Sequence, residues 1–322
     1  MNDNQYDIPI ALFIFNRLDT LERVFEKVRS VRPQKLYLIS DCARKDKEGE
    51  EQKVEKVRKY VESNIDWVCQ VQKNYATTNM GCKMRMSSGI SWFFENEEMG
   101  IFLEDDILVS DSFFPYMREM LFRYKDDERI GIVSGFKQVP DYPIKESYFF
   151  SQFPSIWGWG SFRRAWKFYN VDIPDWPVDK KDKILKPVYT AKGYATACKR
   201  LDKIYYDHFD TWDFQWDYIR AKHHMLGIVP RNNLVVNIGF GPEATHTKSA
   251  SAKEVGIMCE LSDYDVVNEN VAVIPEYEKI YIERYCTEEY WKTKLKRKGK
   301  EVKQKVIKIL VKIWHFVKGQ AD

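Results

Sequence analysis

The sequence predicts an α/β protein built on a largely parallel sheet, and three observations predict it. Over about the first 135 residues, short apolar runs alternate with stretches of helical spacing, the pattern of strands joined by crossover helices. Polar residues recur at the carboxyl ends of those runs, as Asn16 and Arg17, as Asp41, and as Glu104, Asp105 and Asp106. That is the edge of an open α/β sheet where ligands bind. The last of these is an apolar strand running through Ile101, Phe102 and Leu103 straight into three carboxylates with no turn residue between.

The elements follow in order. Ile8 to Phe15 is a near-continuous apolar run and reads as a buried parallel strand. Asp19 or Thr20 is placed to cap the next segment, where Leu21, Val24, Phe25 and Val28 recur at helical spacing until Pro33 stops it. Leu36 to Ile39 is a second strand, ending in Ser40-Asp41-Cys42. Ala43 to Ser63 is rich in Lys and Glu and reads as a solvated helix, and Trp67 to Val71 as a third strand. Asn79-Met80-Gly81 is a turn before a helix from Met84 to Phe94. A fourth strand carries the acidic triplet, a helix spans Phe113 to Tyr124, and a fifth strand spans Ile130 to Ser134.

The second half is less regular. Ser155 to Phe162 is rich in Gly and Trp and reads as a loop or bent strand lining a cleft. Pro174, Trp176 and Pro177 mark a connection. Trp212 to His224 reads as a helix with Asp213 in its first turn, and Val229 to Ile238 as a strand. Gly239 to Ala244 is a candidate closing loop, followed by His246.

Composition narrows the chemistry. Three adjacent carboxylates repel one another unless a positive group sits among them, and a divalent cation with oxygen ligands is the usual answer. The sequence has neither GxGxxG nor GxxxxGK[ST], so neither a dinucleotide fold nor a P-loop is supported. The six cysteines form no CxxC pair, which argues against a zinc site and for a reducing compartment. The polar start leads directly into a strand, unlike a signal peptide, and no apolar run is long enough to span a bilayer. The formal charge of +3 conceals an asymmetry, because residues 292–322 hold ten Lys, one Arg and two acids. Their net of +9 leaves the rest at −6, so an anionic partner is expected for the tail alone.

Taken in order, four segments resemble the GT-A fold of nucleotide-sugar-dependent glycosyltransferases, a Rossmann-like mixed sheet flanked by helices. The resemblance is to bacterial polysaccharide glycosyltransferases of the family 2 kind and, more distantly, to the N-acetylglucosaminyltransferase I family. It covers roughly Ile8 to Thr247. Its main motif is Glu104-Asp105-Asp106 followed by Ser110-Asp111-Ser112-Phe113-Phe114, similar to the family's metal motif and the helix behind it. Ser40-Asp41-Cys42 resembles the uracil-recognising segment, and Asn16-Arg17 the first-strand end that approaches the nucleotide. Trp157-Gly158-Trp159 resembles a loop that faces the sugar.

The resemblance implies roles. Asp106 would ligate manganese or magnesium, which bridges the donor diphosphate. Asp105 and Glu104 would hold ribose and sugar hydroxyls or metal-bound water, and Asp41 would accept from uracil N3. Arg17 would approach the uridine or phosphates, the bland reading being a surface ion pair, and Lys83 would reach phosphate. Inverting transfer needs a carboxylate to take the acceptor hydroxyl's proton. Asp213 and Asp217 lie four apart on one helix face. Asp213 is preferred, at the helix start after a Trp, with a helix cap as its alternative role. A late His often ligates the metal in GT-A enzymes, which makes His246 a second metal candidate beside the reading of a solvated loop His.

These expectations describe an inverting transferase carrying a sugar from a UDP-sugar, with N-acetylglucosamine as a guess, to a polysaccharide or lipid-linked glycan. The boundaries are a catalytic domain over 1–285, its nucleotide half about 1–135 and acceptor half about 136–285, and a basic amphipathic helix over 286–322. In that helix Val306, Ile309, Leu310, Ile313 and Val317 recur on one side, suited to the anionic inner face of the cell membrane. Packing against the enzyme or a second subunit is the alternative. A sugar-nucleotide nucleotidyltransferase is the runner-up, opposed by the lack of a Gly-rich, Arg- or Lys-bearing loop after the first strand. A nucleic-acid binder is opposed by the acidic body, and a non-catalytic glycan-binding module would not need the triplet with a base candidate.

Overall fold

The computed structural model describes residues 5–239, 257–262 and 270–287. Its centre is an eight-stranded mixed sheet flanked by helices, in the order β3-β2-β1-β4-β8-β6-β9-β7. Strands β1 (Ile10–Ile14), β2 (Lys35–Ser40), β3 (Gln70–Tyr75) and β4 (Met99–Glu104) run parallel. Helices α1 (Leu18–Val31), α2 (Glu50–Ser63) and α3 (Gly81–Asn96) connect them. Strand β1 is apolar throughout because it lies inside the sheet with both faces covered, and all five of its residues are buried. Helix α1 buries Leu21, Val24, Phe25 and Val28 as their spacing predicts. It ends where Arg32 turns left-handed and donates its N–H to Val28 O, and Pro33 then bars continuation.

After β4 the chain makes a short strand β5 (Ile107–Val109), helix α4 (Phe113–Arg123) and strand β6 (Ile130–Ser134). Strands β7 (Tyr148–Ser151) and β8 (Trp159–Phe162) follow, then helices α5 (Arg163–Trp166), α6 (Trp176–Lys181), α7 (Ala191–Asp207) and α8 (Asp213–Lys222). Strands β9 (Leu226–Pro230) and β10 (Val235–Asn237) and helix α9 (Pro275–Tyr285) complete the described elements. Strand β8 inserts antiparallel between β4 and β6, which makes the sheet mixed. Strand β10 pairs antiparallel with β5 in a separate ribbon. At Gly100 a Cβ would come within 2.1 Å of the Phe93 ring and 2.9 Å of Pro9 O, so α3 and β1 close on β4 only because that residue has no side chain.

Several expectations are corrected. The helix expected from Ala43 begins at Glu50, because Gly49 has φ of +74° and turns the chain into it. The third strand is Gln70–Tyr75, not Trp67–Val71. It is a polar edge strand, defined by its pairing with β2, while Val68 is 82% exposed. Neither Asp19 nor Thr20 caps α1; the N-cap is Arg17, with no side-chain cap. The connection through Trp176 and Pro177 is helix α6, with Pro177 in its first turn. The strand expected over Val229 to Ile238 is two strands, β9 and β10, in different sheets.

Candidate functional site

Strands β1 and β4 are parallel neighbours with Phe13 opposite Glu104, so their carboxyl ends lie side by side. This brings Asn16 and Arg17 to the acidic triplet. The Arg17 guanidinium donates from Nη2 to Asp105 Oδ1 at 2.9 Å and from Nη1 to Asp106 Oδ2 at 2.8 Å. Asp105 also accepts from the Phe15 N–H at 3.0 Å. Among the described residues, the buried Asp106 Oδ1 has no hydrogen-bond partner. The Asp106 carbonyl accepts from Ile238 N at 2.8 Å, so the β5–β10 ribbon ties residues 237–239 to the triplet. A Cβ on Gly239 would fall 2.2 Å from Asp106 Oδ2 and 2.5 Å from Arg17 Nη1. The backbone at Gly239 thus lies directly over the ion pair, a position only glycine allows.

The charges are strained as the sequence implies. Burial, with Asp106 and Asp105 alongside, pushes the Glu104 carboxyl up to about 8 against the pull of Arg17. Burial raises Asp105 to about 6, opposed by Arg17 and assisted by Asp106. Asp213, at the start of α8, lies close enough to add to the Glu104 shift. Asp213 accepts from the Thr211 hydroxyl. Cys82 on α3 lies near the same carboxylates: burial pushes its thiol up to about 12, with Glu104, Asp213, Asp210 and Asp41 adding to the shift.

Other candidates have different positions. Asp41 is buried and engaged: Oδ1 accepts from Cys42 N and Met80 N at 2.8 and 2.9 Å, and Oδ2 from Gly81 N and Asn79 Nδ2 at 3.0 and 3.1 Å. It closes the start of α3, and its oxygens already hold the donors a uracil N3–H would have to replace. Asn16 donates to Glu50 Oε1 at 2.9 Å, and Arg44 clamps the same carboxylate, a brace the sequence reading missed. Lys83, in the first turn of α3, is 3.7 Å from Asp172. Asp217 pairs with the buried Arg220 at 2.5 Å. It lines a small recess between α7 and α8 with Tyr189, Arg200 and Phe214, so a single helix face does not make the two aspartates equivalent.

The Gly and Trp segment divides. Trp159 is 1% exposed, on β8, with its ring 4.6 Å from Phe102 and stacked on Trp212 at 5.9 Å, which makes it core and not a sugar platform. Trp157 is half-buried against Phe136. Gly158 has φ of +55°, and its carbonyl accepts from Gly135 N at 2.7 Å. His246 and the basic tail lie outside the described residues. The sequence reading marked Gly239 only as the start of a loop; the signal it missed was β10, too short to separate from β9 by pattern.

Among the described residues no group of three or more His, Cys, Asp or Glu forms a ready metal cage. The orphaned Asp106 Oδ1 nevertheless fits one protein oxygen offered to a hard cation whose other ligands come from a diphosphate and water. No protein-family model matches the chain, and none of the curated proteins matches it in sequence. Distant structural likenesses include a mannosyltransferase, PcManGT from Pyrobaculum calidifontis, solved with GDP-Man and Mn2+. It is 11% identical, with 68% of this chain and 71% of that one covered, at a TM-score of 0.38. TarS of S. aureus is 9% identical over 71% of this chain and 59% of its own, at a TM-score of 0.35. The inositol-1-phosphate CTP transferase from T. maritima is 11% identical over 70% and 86%, at a TM-score of 0.37.

Proposed function

We propose that this chain is a nucleotide-sugar-dependent glycosyltransferase of GT-A fold. The observation that carries the reading is the end of β4, where Asp106 offers an oxygen that is buried and, among the described residues, unpartnered, beside Arg17, with Asp213 near enough to Glu104 to raise its carboxyl. The parallel β3-β2-β1-β4 half, with its ligand edge at the triplet, supports the same reading.

Asp106 would hold a divalent manganese or magnesium ion. Bound there, the ion would neutralise charge developing on the leaving nucleoside diphosphate. Arg17, beside Asp106, would approach the same phosphates. Asp105, fixed by Phe15 N–H and Arg17, orients its neighbours. Glu104 faces the cleft with a carboxyl poised to change charge near neutrality and suits donor hydroxyls. Asp213 takes the proton from the acceptor hydroxyl as that oxygen attacks the anomeric carbon, which gives inversion. The closing loop expected over Gly239 to Ala244 lies, beyond Gly239, outside the described residues. The donor is a UDP-sugar, N-acetylglucosamine being one candidate. The acceptor is a hydroxyl of a bacterial polysaccharide or lipid-linked glycan at the inner membrane face. Asp41, as the cap of α3, is left out of base recognition, and Trp159 out of sugar stacking.

Thermal shift with UDP, GDP, CMP and dTDP, each with and without Mn2+, tests this. A ligand that binds the native state raises its melting temperature. A UDP shift that requires Mn2+ and is lost in Asp106→Ala is expected. No shift with any nucleotide would remove the metal-nucleotide reading. Release of pyrophosphate from UTP and a sugar 1-phosphate would move the chain to the nucleotidyltransferases.

A further inference from the structure

We infer that Arg17 is an internal counter-cation which holds Asp106 closed until cation and diphosphate arrive together, so that the two ligands bind cooperatively. The inference deepens the proposed metal-diphosphate site and rests on it. The Arg17 fork bridges the two carboxylates, with Nη1 at 2.8 Å on Asp106 and Nη2 at 2.9 Å on Asp105. Asp106 Oδ2 is therefore already taken by a positive group, while Oδ1 of the same carboxylate is buried without a partner among the described residues. A divalent ion on that carboxylate meets the guanidinium within a few ångströms, and two cations so close repel strongly away from bulk water.

Arg17 is built to move. Its backbone is fixed as the N-cap of α1, with its carbonyl accepting from Leu21 N at 3.2 Å. Its side chain keeps 20% of its surface exposed, so it has a path out of the pair. The two aspartates are unequal when it leaves. Asp105 keeps the Phe15 N–H at 3.0 Å, whereas Asp106 has only the Arg17 bond among the described residues. Displacement thus frees the carboxylate that the ion needs and leaves the other one satisfied. The guanidinium, released beside the site, meets the negative diphosphate, for which its forked donors are suited. Gly239 lets the chain pass over the pair, since its missing Cβ would stand 2.5 Å from Arg17 Nη1. A cation alone must displace Arg17 without giving it a new partner; a cation with a diphosphate supplies one. By linkage, each ligand then raises the affinity of the other equally.

The test titrates Mn2+ into the full chain, reading free ion by electron paramagnetic resonance, with and without UDP. Wild type, Arg17→Gln, Arg17→Lys and Asp106→Asn are compared at one fixed pH and ionic strength. Wild type is expected to bind Mn2+ weakly alone and at least about tenfold more tightly with UDP. Arg17→Gln is expected to bind Mn2+ alone about tenfold more tightly than wild type, with most of the coupling to UDP lost. A residue that merely braces the fold would weaken both ligands and leave their coupling intact. Mn2+ affinity in Arg17→Gln equal to or below wild type, with coupling unchanged, would overturn the inference. If Arg17→Gln fails to show a cooperative melt, Arg17→Lys decides: its single ammonium cannot bridge both aspartates, and binding of Mn2+ alone no tighter than wild type overturns the idea. Asp106→Asn separates the two readings. Unaltered Mn2+ binding there would sink the metal site itself, whereas loss of binding there with no tightening in Arg17→Gln would sink only the role of Arg17.

Discussion

At the residue scale the site is a set of carboxylates whose charges the fold only partly relieves. Glu104 is pushed from its ordinary value up to about 8, first by burial and then by Asp106 and Asp105, with Asp213 and Cys82 also facing it and Arg17 opposing. A raised acid binds its proton more tightly folded than unfolded, so the stability it contributes is full below the ordinary value and is lost as pH rises through 8. Asp105, raised to about 6, acts in the same sense. The ligand-free melting temperature is therefore expected to fall between about pH 5 and 8, and Glu104→Gln to flatten that fall. Parallel melting curves for the two proteins across this range would show that Glu104 does not carry the effect. Asp213→Asn is expected to keep the UDP and Mn2+ shift but to lose turnover by roughly a hundredfold to ten-thousandfold, the usual worth of a general base. Near-normal turnover would return Asp213 to a role at the start of α8. Of these residues the triplet and Arg17 were legible as neighbours, because they end two apolar runs that pair as parallel strands; Asp213 was legible only as the start of a helix, and its role comes from the resemblance. Asp41 was legible as a site residue but not as a cap, since its partners are backbone N–H groups of Met80 and Gly81, which no side-chain pattern reveals.

At the element scale, Asp41 shows how a loop residue supports the site through a helix. It ties the end of β2 to the start of α3, the helix that carries Cys82 and Lys83 to the cleft. Asp41→Ala is expected to cost about 1–2 kcal/mol of ligand-free stability in urea denaturation, the range of a lost N-terminal cap. A uracil acceptor would instead weaken UDP binding with stability unchanged, and that outcome would restore the role the sequence resemblance gave it. Elements buried on both faces or strictly periodic, such as β1, α1, α4, β6 and α8, were readable directly. The polar edge strand β3 was misplaced because pairing, not hydrophobicity, defines it. The three-residue strands β5 and β10 were invisible for the same reason, yet their pairing brings Gly239 over Asp106. Trp159, which the resemblance placed in a loop facing the sugar, is core because β8 lies between β4 and β6 and buries its ring.

At the scale of the whole molecule, charge is segregated along the chain. Residues 292–322 carry a net of +9, and the remainder carries −6. No described helix is long and apolar enough to cross a membrane. The proposed acceptor, if lipid-linked, resides at a surface that a basic segment can find by charge. Each Lys or Arg near an anionic leaflet adds about 1 kcal/mol, a contribution that salt screens. Were the apolar series Val306, Ile309, Leu310, Ile313 and Val317 to enter the interface, several such residues would suffice for reversible attachment, the reading proposed for the tail. The full chain is therefore expected to co-sediment with vesicles containing phosphatidylserine, to release as salt is raised, and to ignore neutral vesicles. A chain ending before Trp291 is expected to lose vesicle binding while keeping the Mn2+-dependent UDP shift, since every placed site residue lies before it. Equal vesicle binding by the truncated chain would assign the tail to the enzyme's own surface or to a second copy. A shift of duplex DNA by the tail at physiological salt would replace the membrane with nucleic acid as its partner.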